Sequence, residues 1–160
     1  MITAHIERLA DNMEELKAHF GEHHAELALH QEEVGLDPDY PKYFALEEMG
    51  KILCVVLRDR GQVIAYFVGM VDTALHSKGC LTLQQDIFWL HPQYRDQESL
   101  TQLEAHMLAL QLFEAVREEA IRRGVKRWYA GSKWHKDASR VFEELKMQPA
   151  DVYYTQWLGG

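Results

Sequence analysis

Three apolar stretches joined by short turn signals and followed by one long amphipathic helix constrain this chain more than any other feature. Ile52 to Leu57 is apolar and rich in β-branched residues, Asp59-Arg60-Gly61 reads as a turn, and Val63 to Val71 is apolar again, so the pair predicts an antiparallel hairpin. Leu81 to Leu90 predicts a third strand of the same character. Beyond it, Ala105, Leu108, Ala109, Leu112, Phe113, Val116 and Ala120 fall on one helical stripe, with Gln111, Glu114, Glu118 and Arg122 opposite, and Gly124 ends the helix. Val125 to Ala130 then returns as a strand. A strand that leaves through a helix and comes back in this way becomes a parallel neighbour of the strand before it.

The flanks extend this frame. Ile2 to Ile6 alternates enough for a short strand. Asp11 with Glu14 forms a capping-box signature, and Met13, Leu16, Phe20 and Leu27 continue at near-helical spacing across Gly21, which predicts one bent helix or two short ones. Two prolines place Asp37 to Pro41 in a loop, and Tyr43 to Met49 forms a helical turn before Gly50. Asp137 to Leu145 reads as a short helix and Val152 to Trp157 as a final strand. With no repeat and no linker, the 160 residues predict one α+β domain with a largely antiparallel sheet.

Composition excludes several function classes. A net charge of −8 disfavours a general nucleic-acid binder, because phosphate backbones are held by basic faces. The patch of Arg122, Arg123, Lys126 and Arg127 ends a helix, where cations complement the dipole. No apolar run is long enough for a membrane span and the N-terminus lacks a signal-peptide core, so a cytoplasmic, membrane-free protein is expected. The two cysteines, Cys54 in an apolar run and Cys80 at a turn, have no metal-ligand spacing and suit a reducing compartment. His19 and His23 stand one helical turn apart near Glu22 and Glu26, but no third ligand is fixed, so no metal is expected and the reading is a solvated helix face. Trp128, Trp134 and Trp157 come late enough to line one surface.

The phrase "HPQYR" leading into a long helix that ends "RRGV", then "ASRVFEELKM" and "VYYTQWL", resembles the GNAT family of acyl-CoA N-acyltransferases over nearly the whole chain. The order of "LDPDYPKYFALEEMG", His76 and "QQDIFWLHPQYR" is most similar to phage-encoded and prophage-encoded members. The resemblance implies a mixed, mostly antiparallel sheet of six to seven strands flanked by helices, its fourth and fifth strands parallel and splayed. It implies transfer of an acetyl group from acetyl-CoA to an unidentified amine, in the host cytoplasm if the protein is phage-encoded. The alternative is an inactive accessory or virion-assembly protein of the same fold that contacts a phage or host protein partner.

Such a reaction needs a base for the ammonium proton, a donor for the oxyanion and a proton for the departing thiolate. The resemblance places the base at Asp86 and the oxyanion donor at a strand bulge, with Leu90 and His91 the positions to watch. The cofactor would be bound along Leu90, His91, Tyr94, Arg95, Asp96 and Gln97. His76 and His135 could relay protons. Several signature positions depart from the family. Where a glycine-rich diphosphate loop should follow Arg95, the residues are "RDQESLTQ", and the added Asp96 and Glu98 each oppose a diphosphate by about 1 to 4 kcal/mol at 4 Å. Arg95 to Gly124 spans 29 positions where the family uses roughly 20, which leaves about two extra helical turns or a larger loop. Phe142 replaces the family's general-acid tyrosine and Lys146-Met147 replaces Gly-Phe, leaving Tyr153 or Tyr154 to supply the hydroxyl. The aromatic close "VYYTQWLGG" either covers its own sheet or meets a twin in a homodimer.

Overall fold

The computed structural model describes residues 1–95 and 102–159. In chain order the elements are β1 (Ile2–Ile6), α1 (Leu9–Leu27), α2 (Tyr40–Glu48), β2 (Ile52–Asp59), β3 (Gln62–Ala74), β4 (Ser77–Leu90), α3 (Gln102–Arg122), β5 (Arg127–Tyr129) and α4 (Ser139–Glu144). The strands lie side by side in the order β1-β2-β3-β4-β5, antiparallel throughout except for β4 and β5, which are parallel. The α+β class, the mixed sheet and its parallel fourth and fifth strands therefore match the sequence reading. The count does not: among the described residues there are five strands, not six or seven. Val152 to Trp157 forms none, because strand propensity makes a strand only where a neighbouring backbone pairs with it.

Both faces of the sheet are covered, which is why β2 and β3 read as continuous apolar runs rather than alternating ones. Leu53, Val55, Leu57, Phe67 and Leu83 pack with Leu112, Phe113 and Val116 of α3. On the other face Cys54, Val56, Tyr66, Val68 and Trp89 pack with Leu9, Met13, Leu16 and Phe20 of α1. Cys80, expected at a turn, lies inside β4, and both cysteines are free thiols.

The first helix is unbroken through Gly21 and starts at Leu9, two residues before the proposed capping box. Its exposed N–H groups are met from elsewhere, since the Glu47 carboxylate of α2 accepts from the backbone N–H of Leu9 and of Ala10. Arg58 ties the same corner together. Its guanidinium donates to both oxygens of Glu7 (2.8 and 2.9 Å), to Glu15 (2.9 Å), to Asn12 Oδ1 (3.0 Å) and to the Gly61 carbonyl (2.6 Å).

Three helices end in the same motif, a left-handed residue followed by a pair of bonds back into the last turn. After α3, Gly124 has φ +82°, its N–H meets the Ile121 carbonyl, and Val125 N–H meets Ala120. Gly50 plays that part after α2 with φ +71°. After α4 the residue is Lys146, at φ +62°, with its N–H on Glu143 and Met147 N–H on Phe142. A lysine Cβ is strained there and the side chain is exposed. Lys146→Gly should therefore stabilise the fold by about 0.5–1.5 kcal/mol, read as a higher thermal midpoint. An unchanged or lower midpoint would show that the motif carries no strain.

Candidate active site

The pairing of β4 with β5 covers only Thr82–Arg127, Leu83–Trp128 and Gln84–Tyr129. β5 then stops, while β4 continues to Leu90. At the point of divergence a side chain takes over the work of the ladder. Gln85 Nε2 donates to the Gly131 carbonyl (3.1 Å) and Gln85 Oε1 accepts from Gly131 N–H (3.2 Å). Past Gln85 no strand among the described residues pairs with the outer edge of β4, and a wedge opens between the two strands.

The bulge sits at the apex of this wedge, not at Leu90 or His91. Gly69 of β3 lies opposite Gln85 and Val68 opposite Ile87, which leaves Asp86 as the extra residue. The facing glycine leaves room for the core, since a Cβ at Gly69 would stand 2.6 Å from Leu83 Cδ1 and 2.8 Å from Phe67 Cε1 and both side chains would have to move. The bulge also inverts the alternation along β4. Leu81 and Leu83 face α3 before it, whereas Phe88 and Leu90 face α3 after it and Ile87 and Trp89 turn toward α1.

Asp86 is exposed at the bulge, and its Oδ2 accepts a hydrogen bond from the Tyr43 hydroxyl of α2. Burial, reinforced by that carboxylate, pushes the Tyr43 hydroxyl well above the usual tyrosine range, so it stays protonated and remains a donor. Beneath lies an aromatic wall. Trp89 is 2% exposed and meets Tyr66 (5.6 Å between centroids), His23 (6.3 Å, stacked), His19 (5.1 Å) and His91 (5.2 Å). His23 Nδ1 and the Tyr66 hydroxyl are 2.6 Å apart, and burial, reinforced by the nearby charges of Lys133 and Arg95, pushes the His23 pKa down to about 4. The reading of His19 and His23 as a solvated face is thus corrected: both pack inward on Trp89. Among the described residues no group of three or more metal-ligating side chains comes together.

The segment from His91 to Arg95 forms a tight turn whose amide groups are already engaged. His91 N–H donates to Ile64 (2.8 Å), Gln93 N–H to His91 Nδ1 (3.1 Å), Tyr94 N–H to the His91 carbonyl (2.8 Å) and Arg95 N–H to the Pro92 carbonyl (3.0 Å). The Tyr94 hydroxyl donates to Asp59 (3.0 Å). Arg95 Nε donates to the Leu90 carbonyl (2.7 Å), and its Nη2 pairs with Glu26, whose other oxygen holds Lys136 at 3.0 Å. Burial alone would raise the Glu26 carboxyl, but Arg95 and Lys136 outweigh it and hold the group below its ordinary value. Asp96 and Gln97 lie outside the described residues.

The remaining candidates are elsewhere. Tyr153 and Tyr154 are 80% and 93% exposed in the unpaired C-terminal segment. His76 is in the turn between β3 and β4, and His135 in the turn closed by Lys133 and Lys136. The three tryptophans do not share a surface: Trp128 packs on Phe67 and Phe113, Trp134 is 96% exposed, and Trp157 meets His30. Two open grooves of about 400 Å³ lie at the other end of the sheet, and they share Gly50 and Arg123. Arg123, which lines both, is bound to Glu119 and to the Ile52 carbonyl. Tyr43 and Gln85 escaped the sequence reading, and Glu26 entered it only as a neighbour of His19 and His23. Gln85 left a trace in the polar run "QQD" that breaks the alternation of an otherwise apolar strand.

No protein-family model and no curated protein matches the chain. Solved structures do. The chain aligns with a ribosomal-protein-alanine N-acetyltransferase from Brucella melitensis biovar Abortus 2308 at TM-score 0.70 and 14% identity, over 100% of this chain and 99% of that one. Glucosamine-6-phosphate N-acetyltransferase from Arabidopsis thaliana gives 0.68 at 10% identity, over 99% of each chain. The aminoglycoside N-acetyltransferase AAC(6')-Iy in complex with CoA gives 0.61 at 11% identity, over 98% of this chain and 99% of that one. A mixed sheet, a bulged fourth strand, a parallel fifth strand that parts from it, and alignment along the whole chain together establish that this protein has the GNAT acetyltransferase fold.

Proposed function

We propose that the protein is an N-acetyltransferase that moves an acetyl group from acetyl-CoA to an amine, with Asp86 as the base. The observation that carries this reading is the bulge that lifts Asp86 out of the β3–β4 ladder at the apex of the wedge. A carboxylate held there by one neutral tyrosine hydroxyl can accept a proton from an attacking ammonium group.

The β4 edge suits the cofactor's acyl arm. From Gln85 to Leu90 this edge has no strand partner among the described residues, so it can meet an amide-bearing chain as it would meet another strand. Bound there, acetyl-CoA supplies an activated thioester carbonyl. The amide groups of Gln93, Tyr94 and Arg95 are engaged within their own turn and that of His91 with Ile64 of β3, so at this turn the cofactor would be met by side chains and not by these amides. Tyr43 orients the Asp86 carboxylate, and the wall of Trp89, Tyr66 and His23 fixes the strand that carries it.

Titration of acetyl-CoA followed by calorimetry tests the reading. Saturable heat is expected below about 1 mM ligand, and a flat titration to that concentration would remove the enzyme reading, since even a 1 mM site is worth only about 4 kcal/mol.

A further inference from the structure

Part of the sheet is left bare beside Asp86. Trp128 of β5 packs on Phe67 and Phe113 on the α3 side, so its neighbours Arg127 and Tyr129 point to the opposite face. There they stand beside Thr82 and Gln84 of β4, and Gln84 in turn lies opposite Met70 of β3. Gln84 is exposed and Met70 is 38% exposed, so no described helix covers this end of the face. Asp86, two residues beyond Gln84, meets Tyr43 of α2 on the same side. The candidate base therefore looks onto an open floor whose far side is β5.

Arg127 stands out on that floor. In the sequence it reads as part of the basic end of a helix, but it belongs to β5. Its guanidinium lies over the Tyr129 ring, 5.3 Å from the centroid, and so leans along the strand toward the wedge. Nε is shielded from water without an acceptor, and no carboxylate among the described residues pairs with the group. Arg58, Arg95 and Arg123 are also partly buried, and each is held by a glutamate. Arg60, Arg117 and Arg140 have no such partner, but they are exposed. Asp72, the acid on the same cross-strand row, is taken by Lys51 at 2.5 Å. A partly buried cation that lacks a counter-ion gains most from an anion brought to it.

We propose that the acceptor is an amine with an oxyanion, carboxylate or phosphate, at its far end, the nitrogen going to Asp86 and the oxyanion to the guanidinium of Arg127. The inference rests on the acetyl-transfer reading and names the substrate class for it. Two residue rises along β4 and one strand spacing across place the two groups on the order of 10 Å apart. Between them Met70 and Tyr129 offer apolar surface to a short carbon chain. The opposite charges at the two ends also fix direction, because a molecule turned end for end would set like charges together.

Three probes test it: an eight-carbon ω-amino acid, an ω-aminoalkyl phosphate of the same reach, and the primary amide of the amino acid, which keeps the length and removes the charge. Wild type should acetylate an anionic probe with kcat/KM about tenfold to a hundredfold above the amide, as expected for hydrogen bonds to a charged group. The difference should lie in KM. A lead of either anion supports the proposal and identifies the oxyanion. Arg127→Met should bring the ratio close to one, Arg127→Lys should keep part of it, and Arg140→Met, on exposed α4, all of it. Calorimetry with the same probes separates this claim from the one beneath it. Anion binding that needs Arg127, without any acetyl transfer, would keep the site and remove the enzyme reading. Equal transfer to the anions and the amide, or a lead that survives Arg127→Met, would overturn the proposal and leave the enzyme reading standing. An anion that binds wild type no tighter than the amide would overturn it as well.

Discussion

Asp86→Asn is expected to lower the rate of acetyl transfer by about a hundredfold to ten-thousandfold, the usual contribution of a positioned base. The effect should fall on chemistry alone. Asp86 is exposed and, among the described residues, its side chain is bound through the Tyr43 hydroxyl alone, so the thermal midpoint should move by no more than about 2 °C. Tyr43→Phe should lose less, about tenfold to a hundredfold, the worth of one hydrogen bond to a charged group. Thiol release from acetyl-CoA over a panel of primary amines measures both variants. If Asp86→Asn keeps full activity, the base lies elsewhere. If it unfolds, the bulge needs the carboxylate for its structure, and the role assigned to it is wrong.

Arg58→Met is expected to produce the largest loss of stability. The guanidinium is 16% exposed, Glu7 17% and Glu15 38%, so truncation leaves two carboxylates with reduced access to water and no cation. A buried pair broken on one side costs about 3–5 kcal/mol, and the exposure of Glu15 lowers the expectation to about 2–4 kcal/mol. That corresponds to a fall of about 4–16 °C in midpoint for a domain of this size. Acid should narrow the gap. Burial raises the Glu15 carboxyl, but the Val63 N–H and Arg58 outweigh it and hold the group below 4.5. A lowered carboxylate contributes stability that is present above its unfolded value and lost as pH falls through the folded one. Wild type and variant should therefore converge below about pH 4. A constant difference across that range would show that Arg58 acts by packing and not by charge.

Much of the frame was legible in the sequence because its signals were local. The β2–β3 turn at Asp59-Arg60-Gly61 and the stop at Gly124 each depend on a few adjacent residues, and the structure has both. What could not be read depends on partners distant in the chain. The start of α1 is set by Glu47, 38 residues away from Leu9, so the nearer capping signature misled. His19 and His23 looked solvated because their helix carries charges on several sides, and only the position of Trp89 decides which way they point. The final strand failed for the converse reason, since its residues favour a ladder that no described neighbour completes. At the candidate site, the resemblance named Asp86 as the expected base, while Tyr43, its hydrogen-bond partner, comes from a loop and helix whose place over the bulge no spacing rule encodes.

The amide of Gln85 has one further consequence. Because it satisfies both polar groups of Gly131, it fastens the chain leaving β5 to β4 one residue beyond the last backbone pair, Gln84 with Tyr129. The seam between the two parallel strands is thus closed from inside by a side chain at the point where the ladder ends.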